Sequence, residues 1–216
     1  MSALIKYRSI REQVTPIIRK MIMMGKLKPG DRITEQAIAD ELHISRAPIR
    51  EAFREIESRG LINWSANKGC TVAKLSPRDA WEVFYLRCSL EIMSIERVGG
   101  AFKQATLKTM EKILKAMEQD SKNSDSFAFI NADEDFHGLI VRECGMKRLF
   151  SLWDSLSDLN CALFLTENRE LCEIGNQYDR HLKLFDALAS SGGLEQKKAA
   201  VEFHYNEAIQ RIAFEE

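Results

Sequence analysis

The chain has no apolar run long enough to span a membrane and no apolar leader at its N-terminus, so it reads as a cytoplasmic protein. Cysteine is sparse. Cys70, Cys88, Cys144, Cys161 and Cys172 form an odd, scattered set without a C-x-x-C pair, which argues against a disulfide framework and for reduced thiols. Only four prolines interrupt 216 residues. There is no internal repeat and no low-complexity tract, and beyond residue 76 no strand-like alternation of any length. What remains is a chain with 45% apolar residues and 29% charged residues, enough to build two domains with real cores.

The net charge of −1 conceals an asymmetry. Residues 1–76 carry 14 basic and 8 acidic side chains, whereas residues 77–216 carry 17 basic and 24 acidic. A basic first third suits a polyanionic partner and an acidic remainder does not.

Residues 9–25 predict a helix from Ile10, Val14, Ile17, Ile18 and Met21, ended by Gly25. Thr34 can cap a second helix to Leu42, and His43-Ile44 makes a turn. Ser45 opens a third helix whose apolar face is Ile49, Ala52, Phe53 and Ile56, with Pro48 tolerated in its first turn. Residues 61–64 and 70–73 predict two short strands around a polar loop tipped by Asn67-Lys68-Gly69. Ser76-Pro77-Arg78-Asp79 reads as a helix start. It sets the expected boundary between a domain over 1–75 and one over 76–216. Six helices are expected in the second domain, over 77–99, 104–121, 125–143, 146–168, 176–190 and 194–214. The expected fold is mainly α: a winged helix-turn-helix followed by an antiparallel six-helix bundle.

Arg46 and Arg50 lie four residues apart and share a helix face opposite the apolar set. Such arginines are free to enter a major groove, where a guanidinium pairs with guanine O6 and N7. The helix N-terminus opened by Ser45 favours a phosphate, and Lys68 with Gly69 can approach the backbone or minor groove. A solvated charged face is the plain alternative for two arginines alone. The cap, turn, preceding helix and basic wing together specify a docking geometry.

These residues carry a resemblance. Gly25-x-Leu27-x-Pro29-Gly30, Glu35, Ile38-Ala39, Leu42, Ser45-Arg46-Ala47-Pro48-Ile49-Arg50-Glu51-Ala52, Gly60-Leu61-Ile62 and Asn67-Lys68-Gly69 resemble the GntR family of bacterial transcription regulators over residues 9–73. The resemblance implies that Gln36, Ser45, Arg46, Ala47 and Arg50 fall on base- and phosphate-contacting positions and Gly69 on the wing tip. Ala47 stands where a threonine is common. His43 replaces a turn glycine, which calls for a left-handed backbone that His tolerates better than most residues.

Three of the four histidines lie in the helical part. Asp133 and His137 are i and i+4 on one helix, while His181 and His204 sit on the inner stripes of two others. Buried ionisable groups at such positions call for partners or a metal. Three imidazoles and a carboxylate suit Zn, Ni, Mn or Fe(II) with coordination positions left open. Three satisfied core histidines are the alternative. Asp133-Glu134-Asp135-Phe136-His137, His181-Leu182 and His204 resemble the metal-binding set of the FCD effector-binding domain, found beside a GntR-type winged helix in the FadR-like branch. The count of six helices is similar to the VanR-type subgroup.

Arg87, four residues before Glu91, is either half of an intrahelical ion pair or, as the resemblance implies, a cavity arginine that pairs with a ligand carboxylate. Asn160 and Tyr178 are further candidate cavity liners. The reading is a homodimeric repressor of operator DNA, controlled by a small organic or sugar acid bound at a metal held by Asp133, His137, His181 and His204, with Arg87 assisting. A metal sensor and a metalloenzyme with a DNA-binding appendage are the rivals. Against the enzyme, no separate general base is visible, and Glu134 and Asp135 are expected to project to other faces than His137.

Overall fold

The protein is described from a computed structural model covering residues 10–65, 69–165 and 174–210, and the chain divides into two units, Met1–Lys74 and Leu75–Glu216. In the first, the described order is α1 (Ile10–Met23), β1 (Arg32–Ile33), α2 (Glu35–Leu42), α3 (Arg46–Ser58), β2 (Ile62–Ser65) and β3 (Gly69–Val72). Thr34 holds an extended backbone and its hydroxyl accepts from the Ala37 N–H at 3.1 Å, which opens α2. His43 ends α2 in the left-handed region at φ 55°, the conformation its replacement of a glycine calls for. Ile18, Ile38, Ile49, Phe53, Ile56 and Leu61 are each buried. Thr15 of α1 donates to Glu55 of α3 at 3.0 Å.

The strands form an antiparallel sheet in the order β1-β3-β2, with Ile33 and Trp64 both facing Cys70 across the ladder. Sequence reading did not anticipate β1. Two residues are too short for alternation to show, and it exists only because β3 offers a free edge. Lys68 lies outside the described residues.

The second unit runs α4 (Pro77–Arg97), α5 (Gln104–Asn123), α6 (Ser126–Arg142), α7 (Lys147–Asp154), α8 (Ser157–Leu165), α9 (Ile174–Ala189) and α10 (Leu194–Ile209). Ser76 and Asp79 form a reciprocal capping box at α4, with Pro77 at its first position. α4 packs against α10 and α6, and α5 against α6 and α9. Their shared core includes Ile95, Met110, Met117, Phe129, Phe136, Leu188 and Val201.

The span 146–168, expected as one helix, is two. The Ser155 hydroxyl donates to the Leu152 carbonyl at 2.6 Å, and the Leu156 N–H turns to the Trp153 carbonyl at 3.0 Å. A serine that engages a backbone carbonyl in this way competes with the helical ladder. Among the described residues of this unit there are seven helices where six were expected, because one expected span is divided. The likeness to the VanR-type subgroup drew on six and gains nothing from this count. Among the described residues, no helix is long and apolar enough to cross a membrane.

Candidate functional site

Ser45, Arg46, Ala47 and Arg50 are all exposed at the start of α3. Ser45 has the extended backbone of a cap, yet its side chain makes no cap hydrogen bond. Gln36 is exposed on α2 and donates to Asp40 at 2.6 Å. Gly69 opens β3 at φ 75°, a left-handed backbone suited to glycine. Arg50 differs from the sequence reading. It is not free, because its Nε and Nη2 grip both carboxylate oxygens of Glu35 at 2.7 and 2.8 Å. That contact lowers the Glu35 carboxyl below its ordinary range, and burial opposes it only in part. The bidentate pair fixes the guanidinium plane between α2 and α3.

In the second unit, His137 of α6, His181 of α9 and His204 of α10 bring one ligand atom each within 4.8 Å of one another. All three rings and Asp133 are buried. Hydrogen-bond partners assign the tautomers. The Gln177 carbonyl can only accept, so His181 carries its proton on Nδ1, 2.7 Å away. Likewise the Glu91 carboxylate, 3.0 Å away, accepts from Nδ1 of His137, which therefore carries a proton. The Nε2 atoms of His181 and His137 then face the same Asp133 oxygen, at 2.8 and 3.9 Å. Nδ1 of His204 is buried without a hydrogen-bond partner.

A carboxylate oxygen and a ring nitrogen 2.8 Å apart need a positive charge between them, supplied by a proton on His181 or by a metal in its place. Three imidazole nitrogens within 4.8 Å of one another beside a buried carboxylate fit a divalent metal, with N and O ligands in open coordination. Without a metal the carboxylates favour protons on the rings: burial acts to lower His137, but Glu91 and Asp133 raise it above its ordinary range, and a metal would displace that proton. Burial acts to raise the Asp133 carboxyl, but the His181 contact and the His137 and Arg87 charges hold it at about 2. Burial, with the neighbouring imidazoles, pushes His204 well below its ordinary range, so it stands neutral and ready to ligate.

Two acidic groups that sequence reasoning missed complete the site. Glu91 of α4, fully buried, accepts from His137 (3.0 Å), from the Trp153 indole of α7 (3.2 Å) and from the Tyr205 hydroxyl of α10 (2.6 Å). Glu134, expected to project away, lies 3.1 Å from Nη1 of Arg87 and accepts from Asn160 at 2.6 Å. Arg87 is thus not the intrahelical partner of Glu91. It is fully buried, with its guanidinium 4.2 Å from the centre of the Trp153 ring. Burial raises the Glu134 carboxyl, and Arg87 opposes it. Asn160 also approaches Asp133, at 3.4 Å. Tyr178 is partly buried and packs on the helical core instead.

A winged unit with an arginine-bearing exposed helix, followed by a helical unit with a buried histidine–carboxylate cluster, is the make-up of a transcription regulator. Residues 10–72 match the family of bacterial regulatory proteins called gntR, and residues 82–206 match the FCD domain. The chain belongs to the GntR family and carries an FCD domain; its relatives are transcriptional regulators, not enzymes. It is 32% identical to an uncharacterized HTH-type transcriptional regulator of Bacillus subtilis (strain 168), over 66% of this chain and 64% of that protein, a little under two thirds of its length. It is 27% identical to the gluconate operon transcriptional repressor of Bacillus licheniformis, over 78% of this chain and 68% of the relative. In fold it is similar to a GntR protein from Rhodococcus sp. RHA1, with a TM-score of 0.82 at 24% identity, covering 96% of this chain and all of that one.

Proposed function

We propose that the chain is a homodimeric repressor acting in the bacterial cytoplasm, whose affinity for operator DNA is set by a small organic or sugar acid bound at a metal in the helical unit. The observation that carries this reading is the convergence of three imidazoles and Asp133 on a buried point, next to Arg87, a fully buried guanidinium whose Nε and Nη2 have no hydrogen-bond partner. Asp133, His137, His181 and His204 would hold a divalent Zn, Ni, Mn or Fe ion, which supplies open coordination positions for a carboxylate oxygen. Glu91 keeps the His137 ring turned with Nε2 inward, and Gln177 does the same for His181. Arg87 would take the other end of the acid.

Residues 1–75 are assigned to DNA binding and 76–216 to effector binding and dimerisation. Gln36, Ser45, Arg46, Ala47, Arg50, Lys68 and Gly69 are the proposed DNA contacts, with Glu35 presenting Arg50. A dimer would set two α3 helices about one turn of duplex apart. Trp81, Tyr85, Leu86 and Met93 leave apolar surface exposed on α4, which supports pairing with a second copy. That a relative represses a gluconate operon supports a sugar acid among the candidates.

The test is a melting-temperature screen of small carboxylates against zinc-loaded and chelated protein, followed by operator binding in the presence of any acid that stabilises it. An acid that raises the melting temperature only with metal, fails with Arg87→Ala, and shifts operator affinity supports the reading. Metal alone shifting DNA affinity, with no acid effective, would replace it with metal sensing.

A further inference from the structure

Arg87 has one edge filled and one edge open. Nη1 meets Glu134, whereas Nε and Nη2 find no hydrogen-bond acceptor. The Tyr205 hydroxyl donates to Glu91 and its oxygen approaches Arg87 without reaching hydrogen-bond geometry with Nε or Nη2. A planar guanidinium with a free Nε/Nη2 edge is the fork that binds one carboxylate in bidentate fashion. Glu134 holds Nη1 of the same guanidinium, is pinned by Asn160, and keeps 15% of its side chain exposed while Arg87 keeps 1%. Of the two, Glu134 is the one an incoming molecule meets.

The charges of the facing helices decide what that molecule can be. Across α4 and α6, three carboxylates (Glu91, Asp133, Glu134) surround one guanidinium. A divalent ion brings this set to neutrality. One ligand carboxylate on the open edge of Arg87 adds a single negative charge. Any further carboxylate would sit near Glu134 in a largely dry site, where like charges repel strongly. A hydroxyl adds no charge and donates to the Glu134 carboxylate.

We propose that Glu134 is a specificity-determining residue, selecting a hydroxy monocarboxylate and rejecting acids that carry a second carboxylate or no hydroxyl. The proposal rests on the reading that an acid binds beside the metal and Arg87. Three acids of equal chain length separate the terms: D-gluconate, D-glucarate, which replaces the terminal alcohol with a second carboxylate, and hexanoate, which has no hydroxyls.

Calorimetric titration of the zinc-loaded full chain is expected to give gluconate an affinity at least about tenfold above both others. In Glu134→Gln, nearly identical in shape, the advantage of gluconate over glucarate shrinks to about twofold, because the repelling charge is gone. Wild-type protein that binds glucarate or hexanoate as well as gluconate overturns the role of Glu134 and leaves the effector site standing. So does an unchanged gluconate-to-glucarate ratio in a folded, zinc-binding Glu134→Gln. If no acid binds the zinc-loaded protein, the effector site itself is wrong and the proposal falls with it. Should Glu134→Gln fail to fold, the wild-type ranking of the three acids decides alone.

Discussion

Replacing Glu91 with glutamine should cost metal affinity without costing the fold. In the native site Oε1 of Glu91 accepts from Trp153 and Tyr205, and Oε2 accepts from His137. A glutamine can place its carbonyl oxygen at only one of these positions. With the oxygen kept on the indole and phenol, the amide nitrogen faces Nδ1 of His137. Two donors then collide, and the ring resolves the clash by moving its proton to Nε2, the atom that faces Asp133. The ring loses its ligating lone pair in that tautomer. Restoring the productive tautomer leaves a buried donor without an acceptor, which costs about 1–3 kcal/mol. Zinc affinity should therefore fall about 10- to 100-fold, the range typical for loss of an orienting partner. The metal-free melting temperature should move little, because removing a buried carboxylate charge offsets the poorer hydrogen bonding. Glu91→Leu, by contrast, strands all three donors, at about 1–3 kcal/mol each, and should unfold much of the population. The assay is competition for zinc against a chromophoric chelator, paired with thermal unfolding of the chelated protein. Zinc affinity of Glu91→Gln within twofold of wild type would refute the tautomer argument.

Arg50→Ala should weaken operator binding by about 1–3 kcal/mol with a smaller loss on random duplex, and Glu35→Gln should weaken it less because the guanidinium remains; equal losses on both duplexes, read by fluorescence anisotropy at fixed salt, would make Arg50 a phosphate contact instead of a base reader. The contribution of His204 to the stability of the metal-free chain should fall as pH drops below the unfolded imidazole value of about 6.5, while that of His137, whose folded value is raised by Glu91, should rise. His204 has a depressed folded value, so the unfolded state takes up a proton there that the folded state refuses. His204→Gln should flatten that slope in unfolding titrations between pH 7 and 5, and an unchanged slope would assign the acid sensitivity elsewhere. Lys197→Met should lower the melting temperature. The native ammonium donates to the Gly100 and Leu188 carbonyls at 2.9 and 2.7 Å, and a thioether leaves both buried acceptors bare at about 1–3 kcal/mol; unaltered melting would show that water replaces the amine.

The features that could be read from sequence are those whose cause lies within a few residues. The Ser76–Asp79 box, the Thr34 cap and the left-handed His43 are local hydrogen-bond or steric requirements, and each takes the conformation its residues call for. The inward stripes bearing His137, His181 and His204 follow from helical period, so their burial was legible too. Partner choice was not. Arg87 and Glu91 are one turn apart and look like a pair, yet each turns to α6, to Glu134 and His137, 47 and 46 residues away. Nothing local distinguishes these outcomes. An exposed i,i+4 ion pair stabilises by only a few tenths of a kcal/mol, while a buried guanidinium or carboxylate left without partners costs far more. Once helix packing buries both residues, the cross-helix partners decide. The same reasoning applies to Arg50, where an apparently free arginine finds Glu35 at the start of the preceding helix. In both units the residue that sequence identifies as the reader, Arg50 or Arg87, is held by a glutamate, Glu35 or Glu134, whose pairing with it sequence does not reveal. A proposed contact in this chain is therefore best tested as a pair, arginine together with its glutamate, because the glutamate sets where the guanidinium points and what charge its ligand meets.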